Sequence, residues 1–147
     1  KQMRPFAIQK NYFILFLFCS FLSGCGDNIE SKEEIDTQTV ASFYESQVQP
    51  IWNTRCTPCH VGGTSGGMSL SAGVSYANIV NVQSSELPSM KRITPNNIPS
   101  SYLLHKLKGT QFLVRGFGSQ MPQSGPPFLN DGQIAIIEKW VNEGALP

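Results

Sequence analysis

The apolar positions of the chain form one nearly unbroken run close to its start and then separate stretches at helical spacing. Val40, Phe43, Tyr44, Val48, Ile51 and Trp52 recur with the period of an amphipathic helix, which Pro50 is expected to end or bend near Val48 or Gln49. Ala72 to Val80 reads as a short helix, and Met90 to Thr94 as a short extended piece closed by Pro95. Ser100 is expected to cap a helix whose apolar face is Tyr102, Leu103 and Leu107, which turns His105 outward or to an edge. Residues 109–128 carry Gly109, Gly116, Gly118, Pro122, Gly125, Pro126 and Pro127, too many breakers for regular structure. Asn130 then caps a last helix with Ile134, Ile137 and Val141 on one face and Ile136 and Trp140 beside it, stopped by Gly144.

The early run is of a different kind. Tyr12 to Leu22 is about a dozen almost uncharged residues behind Lys1, Arg4 and Lys10, the pattern of a signal peptide. A permanent anchor helix is the weaker alternative, because a membrane span wants about 20 apolar residues. The run ends in Leu22 Ser23 Gly24 Cys25, which resembles the lipobox of bacterial lipoproteins, where the Cys is acylated and becomes the new N-terminus. Residues 1–24 are thus expected to be a lipoprotein signal peptide. Acyl chains on Cys25, at about 0.8 kcal/mol per buried CH₂, would tether the protein to a membrane without a span. Gly26 after that Cys resembles an outer-membrane address in enteric bacteria, although the choice between inner and outer membrane stays open. Residues 25–38, with Asp27, Glu30, Lys32, Glu33, Glu34 and Asp36 and few bulky apolar groups, read as a lipidated Cys followed by a flexible acidic linker. One domain, residues 39–147, follows.

Charge narrows the partners. The chain of 147 residues has a formal charge of +1, but without the three early cations eight basic side chains face ten acidic ones. With no basic run or stripe there is no electrostatic footprint for nucleic acid. Paired carboxylates, a Ser/His/Asp set and a Gly-rich phosphate loop are all missing from the sequence, and only two histidines, His60 and His105, are present.

Cys19 leaves with the signal peptide and Cys25 is assigned to lipid, so Cys56 and Cys59 remain, three positions apart. A disulfide between them, or a thioredoxin-like redox pair, would leave the next residue unexplained. That residue is His60, and Cys56 Thr57 Pro58 Cys59 His60 is C-x-x-C-H, the signature of covalent c-type haem attachment. The spacing has a mechanism: in one tight helical turn two thiols can each add across a haem vinyl group while the following imidazole projects under the iron. The expected cofactor is one covalent haem c, with Cys56 and Cys59 as thioethers and His60 as proximal iron ligand.

A second axial ligand is sought among soft or imidazole groups, here Met68, Met90, His105 and Met121. Met121 is the choice: it follows His60 by 61 residues and sits in Gly118 Ser119 Gln120 Met121 Pro122, a loop that frees its side chain from helical constraint. A buried gap-filling role is the bland alternative for it. His105 and the other two methionines are weaker candidates.

A helix before C-x-x-C-H, a Met-Pro loop and an aromatic-bearing last helix resemble the class I cytochrome c plan over about 105 residues. Pro50 Ile51 Trp52 through Cys59 His60, Gly67 to Ser71, Ser101 to Leu107 and Met121 Pro122 look more narrowly like the single-haem module of bacterial surface lipoproteins of planctomycete type. The resemblance implies an all-α fold of three to five helices around the haem, with first and last helices crossing so that Phe43 or Tyr44 meets Trp140. The long Gly/Ser-rich stretch after His60 departs from the plan. The function implied is one-electron transfer in the cell envelope between redox protein partners that the sequence does not identify, with no small-molecule substrate required. Two other readings stand beside it: a haem sensor or enzyme with an open distal site and a polar group such as His105, and a haem-stabilised docking module of a larger redox complex.

Overall fold

A π-helical turn, Tyr44–Val48, runs directly into α1, Gln49–Arg55; α2 spans Ser75–Ile79, α3 Tyr102–Lys108 and α4 Asp131–Asn142, with a 3₁₀ turn at Gln111–Val114 before α4. These elements belong to a computed structural model that describes residues 41–147. The expected signal peptide, the lipidation candidate Cys25 and the acidic linker lie outside the described residues. Among the described residues there is no sheet, only isolated bridges pairing Val80 with Ile93 and Lys91 with both Gln83 and Ser101. The fold is all-α.

The differences from the sequence pattern have local causes. Pro50 does not end the first helix. It sits in the first turn of α1, where its missing N–H removes little, and the change from π to α bonding falls immediately before it. The second helix is shorter than Ala72 to Val80 because Gly73 adopts a left-handed φ of +79°. Ser101, not Ser100, occupies the N-cap of α3, and it makes no capping bond. Its hydroxyl is committed elsewhere, donating to Asn97 O at 2.7 Å and accepting from Thr94 N–H at 2.9 Å. Asn130 does cap α4, in a reciprocal pair with Gln133 that satisfies two otherwise orphaned donors.

The helix pairs close around aromatic rings. Tyr44 lies 4.9 Å from Trp140, tilted by 39°, and 5.5 Å from Tyr76, edge to face. Such pairs add about 0.5–1.5 kcal/mol beyond area burial. Of the two aromatics expected to meet Trp140, Tyr44 does so, while the Phe43 ring carries the Lys139 ammonium 5.0 Å above it. Val48, Trp52, Ile79, Ile93, Leu104 and Ile137 are at most 1 % exposed around this contact, and burying each such side chain contributes about 1.5–3 kcal/mol. Three buried polar side chains here are joined: Tyr44 Oη donates to Ser75 Oγ at 2.6 Å, Ser75 donates to Gln49 Oε1, and Gln49 Nε2 donates to Leu70 O.

Candidate functional site

Where α1 ends, the chain makes one compact turn. Cys56 N–H and Thr57 N–H both reach Trp52 O, Cys59 N–H returns to Cys56 O at 3.1 Å, and His60 N–H to Cys56 O at 2.9 Å. The Thr57 hydroxyl adds a bond to Asn53 O at 2.8 Å. A four-residue return puts positions 56 and 60 on one side of the turn. The two cysteines are not bridged, Cys56 buried and Cys59 exposed. Burial pushes the Cys56 thiol up to about 12, outweighing the pull of Arg55, so at neutral pH it is a protonated sulfur and a poor nucleophile for turnover chemistry.

His60 is oriented from behind. Its Nδ1 lies 2.9 Å from Ser65 O; since a carbonyl only accepts, Nδ1 carries the proton and Nε2 keeps its lone pair for a ligand. Burial holds the imidazole below its ordinary value, as does the nearby Arg92 cation to a lesser degree. The base form therefore dominates near neutrality.

Beside this turn lies a cavity of about 750 Å³, within the size range of small-molecule and cofactor sites. Cys56, Cys59, His60 and Met121 all line it. Much of the remaining wall is apolar, with Trp52, Met68, Leu70, Leu103, Leu107 and Phe117. Met68, eight residues beyond His60, is on the cavity too, in the stretch that bonds back through Leu70 N–H to His60 O at 2.8 Å. Met90 and His105 do not line it. Both ring nitrogens of His105 are engaged elsewhere, Nδ1 with Thr110 Oγ1 at 2.9 Å and Nε2 with Pro99 O at 3.0 Å.

Met121 is held from α3. Its N–H donates to Lys106 O at 2.9 Å, and the Gln120 side chain donates to Leu107 O at 2.9 Å, so the loop satisfies carbonyls that the end of a helix leaves open. Three ionisable groups fasten the same loop. Tyr102 Oη donates to Glu86 Oε2 at 2.8 Å, and the Lys106 ammonium lies 3.0 Å from the same oxygen. Lys106 also donates to Phe117 O at 3.0 Å. The loop presses on this cluster, for a Cβ at Gly116 would stand 2.5 Å from Tyr102 Oη and one at Gly118 2.8 Å from Glu86 Oε1.

Sequence reasoning did not single out Glu86, Arg92, Lys106 or Ser65. Lys106 had a signal, since it falls on the apolar face of Tyr102, Leu103 and Leu107 at helical spacing and is 5 % exposed. The other three stand in irregular segments with no period to betray them. No protein-family model matches the chain, and no curated protein or solved structure matches it.

Proposed function

We propose that the chain is a one-electron carrier built on a single covalently attached haem c. The observation that supports this reading is that one largely apolar cavity is lined at once by Cys56, Cys59, His60 and Met121, residues 61 positions apart in the case of the last two. The group fits the donors present. Cys56 and Cys59 would hold it as thioethers, His60 Nε2 is left free by the Nδ1 bond, and two lining residues, Trp52 and Arg55, own buried N–H groups without an acceptor, a donor capacity suited to the carboxylates that haem carries. On this reading the all-α fold is of the class I cytochrome c type.

Bound haem supplies an iron that passes between ferric and ferrous states. The chain's own part would be to offer His60 and Met121 as the residues that hold the iron, to exclude water with Leu70, Leu103 and Leu107, and to let an electron pass without a substrate reaching the metal. A thioether opposite an imidazole favours the ferrous state relative to two imidazoles. The reading with an open distal site drew its polar group from His105, whose ring nitrogens are both occupied away from the cavity. The carrier is further proposed to be lipid-anchored through Cys25 and to work on the periplasmic or surface side of the envelope with protein redox partners.

The test is the visible spectrum of the haem-loaded protein, oxidised, in wild type and Met121→Ala. A weak red-edge band of sulfur on ferric iron, present in wild type and lost in the variant, is the expected result. A wild type that lacks the band and binds carbon monoxide readily overturns the carrier reading in favour of an open iron.

A further inference from the structure

The stretch after His60 is where the chain departs most from the plan it resembles, and it is held by a residue from elsewhere. Arg92, 8 % exposed, sits in the segment between the bridges, its backbone fixed by Arg92 N–H to Val82 O at 2.7 Å and Leu103 N–H to Arg92 O at 2.9 Å. Its guanidinium reaches across to three carbonyls: Nη1 to Asn78 O at 2.7 Å, and Nη2 to Gly66 O and Gly67 O, both at 3.0 Å. Ser85 Oγ adds a second bond to Gly66 O at 2.8 Å. Gly66 and Gly67 are both left-handed, φ +61° and +64°, which lets two successive carbonyls converge on one guanidinium. The residue before them is Ser65, whose carbonyl takes the His60 Nδ1 proton.

A second property of Arg92 is electrostatic. The ion pairs among the described residues are Lys106 with Glu86, Lys108 with Glu138 and Lys139 with Glu143, so among these residues Arg92 is bound by neutral carbonyls and makes no ion pair. It lines the same cavity as His60. A buried charge is screened far less than an exposed one.

We infer that Arg92 is the positioning residue of His60: it clamps the 65–67 turn whose carbonyl orients the imidazole, and its positive charge at the cavity wall biases an iron on that imidazole toward the ferrous state. The two roles separate by substitution. Arg92→Lys keeps the charge and loses the planar fork, which a single ammonium does not reproduce; Arg92→Gln loses both. Lys91, the exposed neighbour bonded to Asn81, gives the control, because Lys91→Gln removes the same charge where solvent screens it.

This inference rests on the haem reading, so the first measurement is haem staining of the denatured full-length chain; no covalent haem there sinks that reading itself. With haem present, midpoint potential and exchange of the His60 Nδ1 proton by NMR are compared in wild type, R92Q, R92K and K91Q. The expected result is a tenfold or larger fall in the equilibrium constant for reduction in R92Q, which for one electron is 59 mV, a smaller fall in R92K, and none in K91Q. Ring-proton exchange is expected to quicken tenfold or more in both Arg92 variants. A haem-bearing R92Q with wild-type potential and exchange overturns the proposal, as does a fall of equal size in K91Q. If R92Q does not fold, R92K decides alone, and unchanged exchange in it is the overturning result.

Discussion

The two sides of the cavity are built in opposite ways. On the side of Cys56, Cys59 and His60 the backbone bonds of the turn reach back no more than five residues, to Trp52 and Cys56. On the side of Met121 the bonds reach 13 to 15 residues, from the Gln120 side chain to Leu107 O and from Met121 N–H to Lys106 O, and a half-buried ion pair and a phenol lock the loop from a third segment at Glu86. The backbone of the first side is closed within one stretch of chain; the second needs three segments to meet. On the haem reading, a local turn carries the pieces that would be placed for covalent attachment, and a long-range arrangement carries the thioether that would favour one iron state.

That contrast can be broken from either end. The largest effect is expected from His60→Ala, which on the haem reading removes the ligand of the local side. The oxidised spectrum should turn from low to high spin whatever Met121 does, and covalent haem per chain should fall severalfold on a haem-stained gel. Retention of the low-spin spectrum would show that the turn is not the proximal site.

Next comes Glu86→Gln on the long-range side. The amide keeps an acceptor for Tyr102 but leaves the Lys106 ammonium, whose side chain is 7 % exposed, without its counter-charge. Because the carboxylate itself is 30 % exposed, the expected loss is about 1–3 kcal/mol in urea melts. On the haem reading, the Met sulfur band should weaken while the haem remains attached. An unchanged melt would show that the cluster does not hold the loop.

The smallest effect sharpens the same point through pH. Burial first, and then Glu86 accepting its proton, push the Tyr102 phenol from 10.0 up to about 12. A raised value means that the folded chain resists losing this proton. The stability it gives is whole below about pH 10 and is lost as pH climbs from about 10 to about 12. Tyr44, also raised by burial, contributes in the same direction at alkaline pH, so Tyr102→Phe should make the alkaline decline of the denaturation midpoint shallower without abolishing it. A slope identical to wild type would deny the phenol any part.

How much of this was readable in advance follows the same division. The helices at either end could be read because burial has a period: Val48, Trp52, Ile137 and Val141 lie where the apolar spacing puts them, and the Asn130 cap is written in its own first turn. Pro50, expected to end or bend the helix near Val48 or Gln49, does not end it, and the change from π to α bonding falls at that place. Ser101 stands where a cap was expected one residue earlier and bonds across the 94–97 turn instead, a choice no neighbour dictates.

By itself the sequence determined the compact turn at Cys56 to His60 and the capped last helix, because short-range hydrogen bonds and helical periodicity depend only on residues a few positions apart. Only the tertiary structure decided that Met121 and not His105 faces the cavity, that Lys106 is buried against Glu86, and that Arg92 grips the turn behind His60. Those outcomes depend on which backbone carbonyls come within reach of a long side chain. Every residue carries such a carbonyl, so no residue type in the sequence marks the ones that will be used.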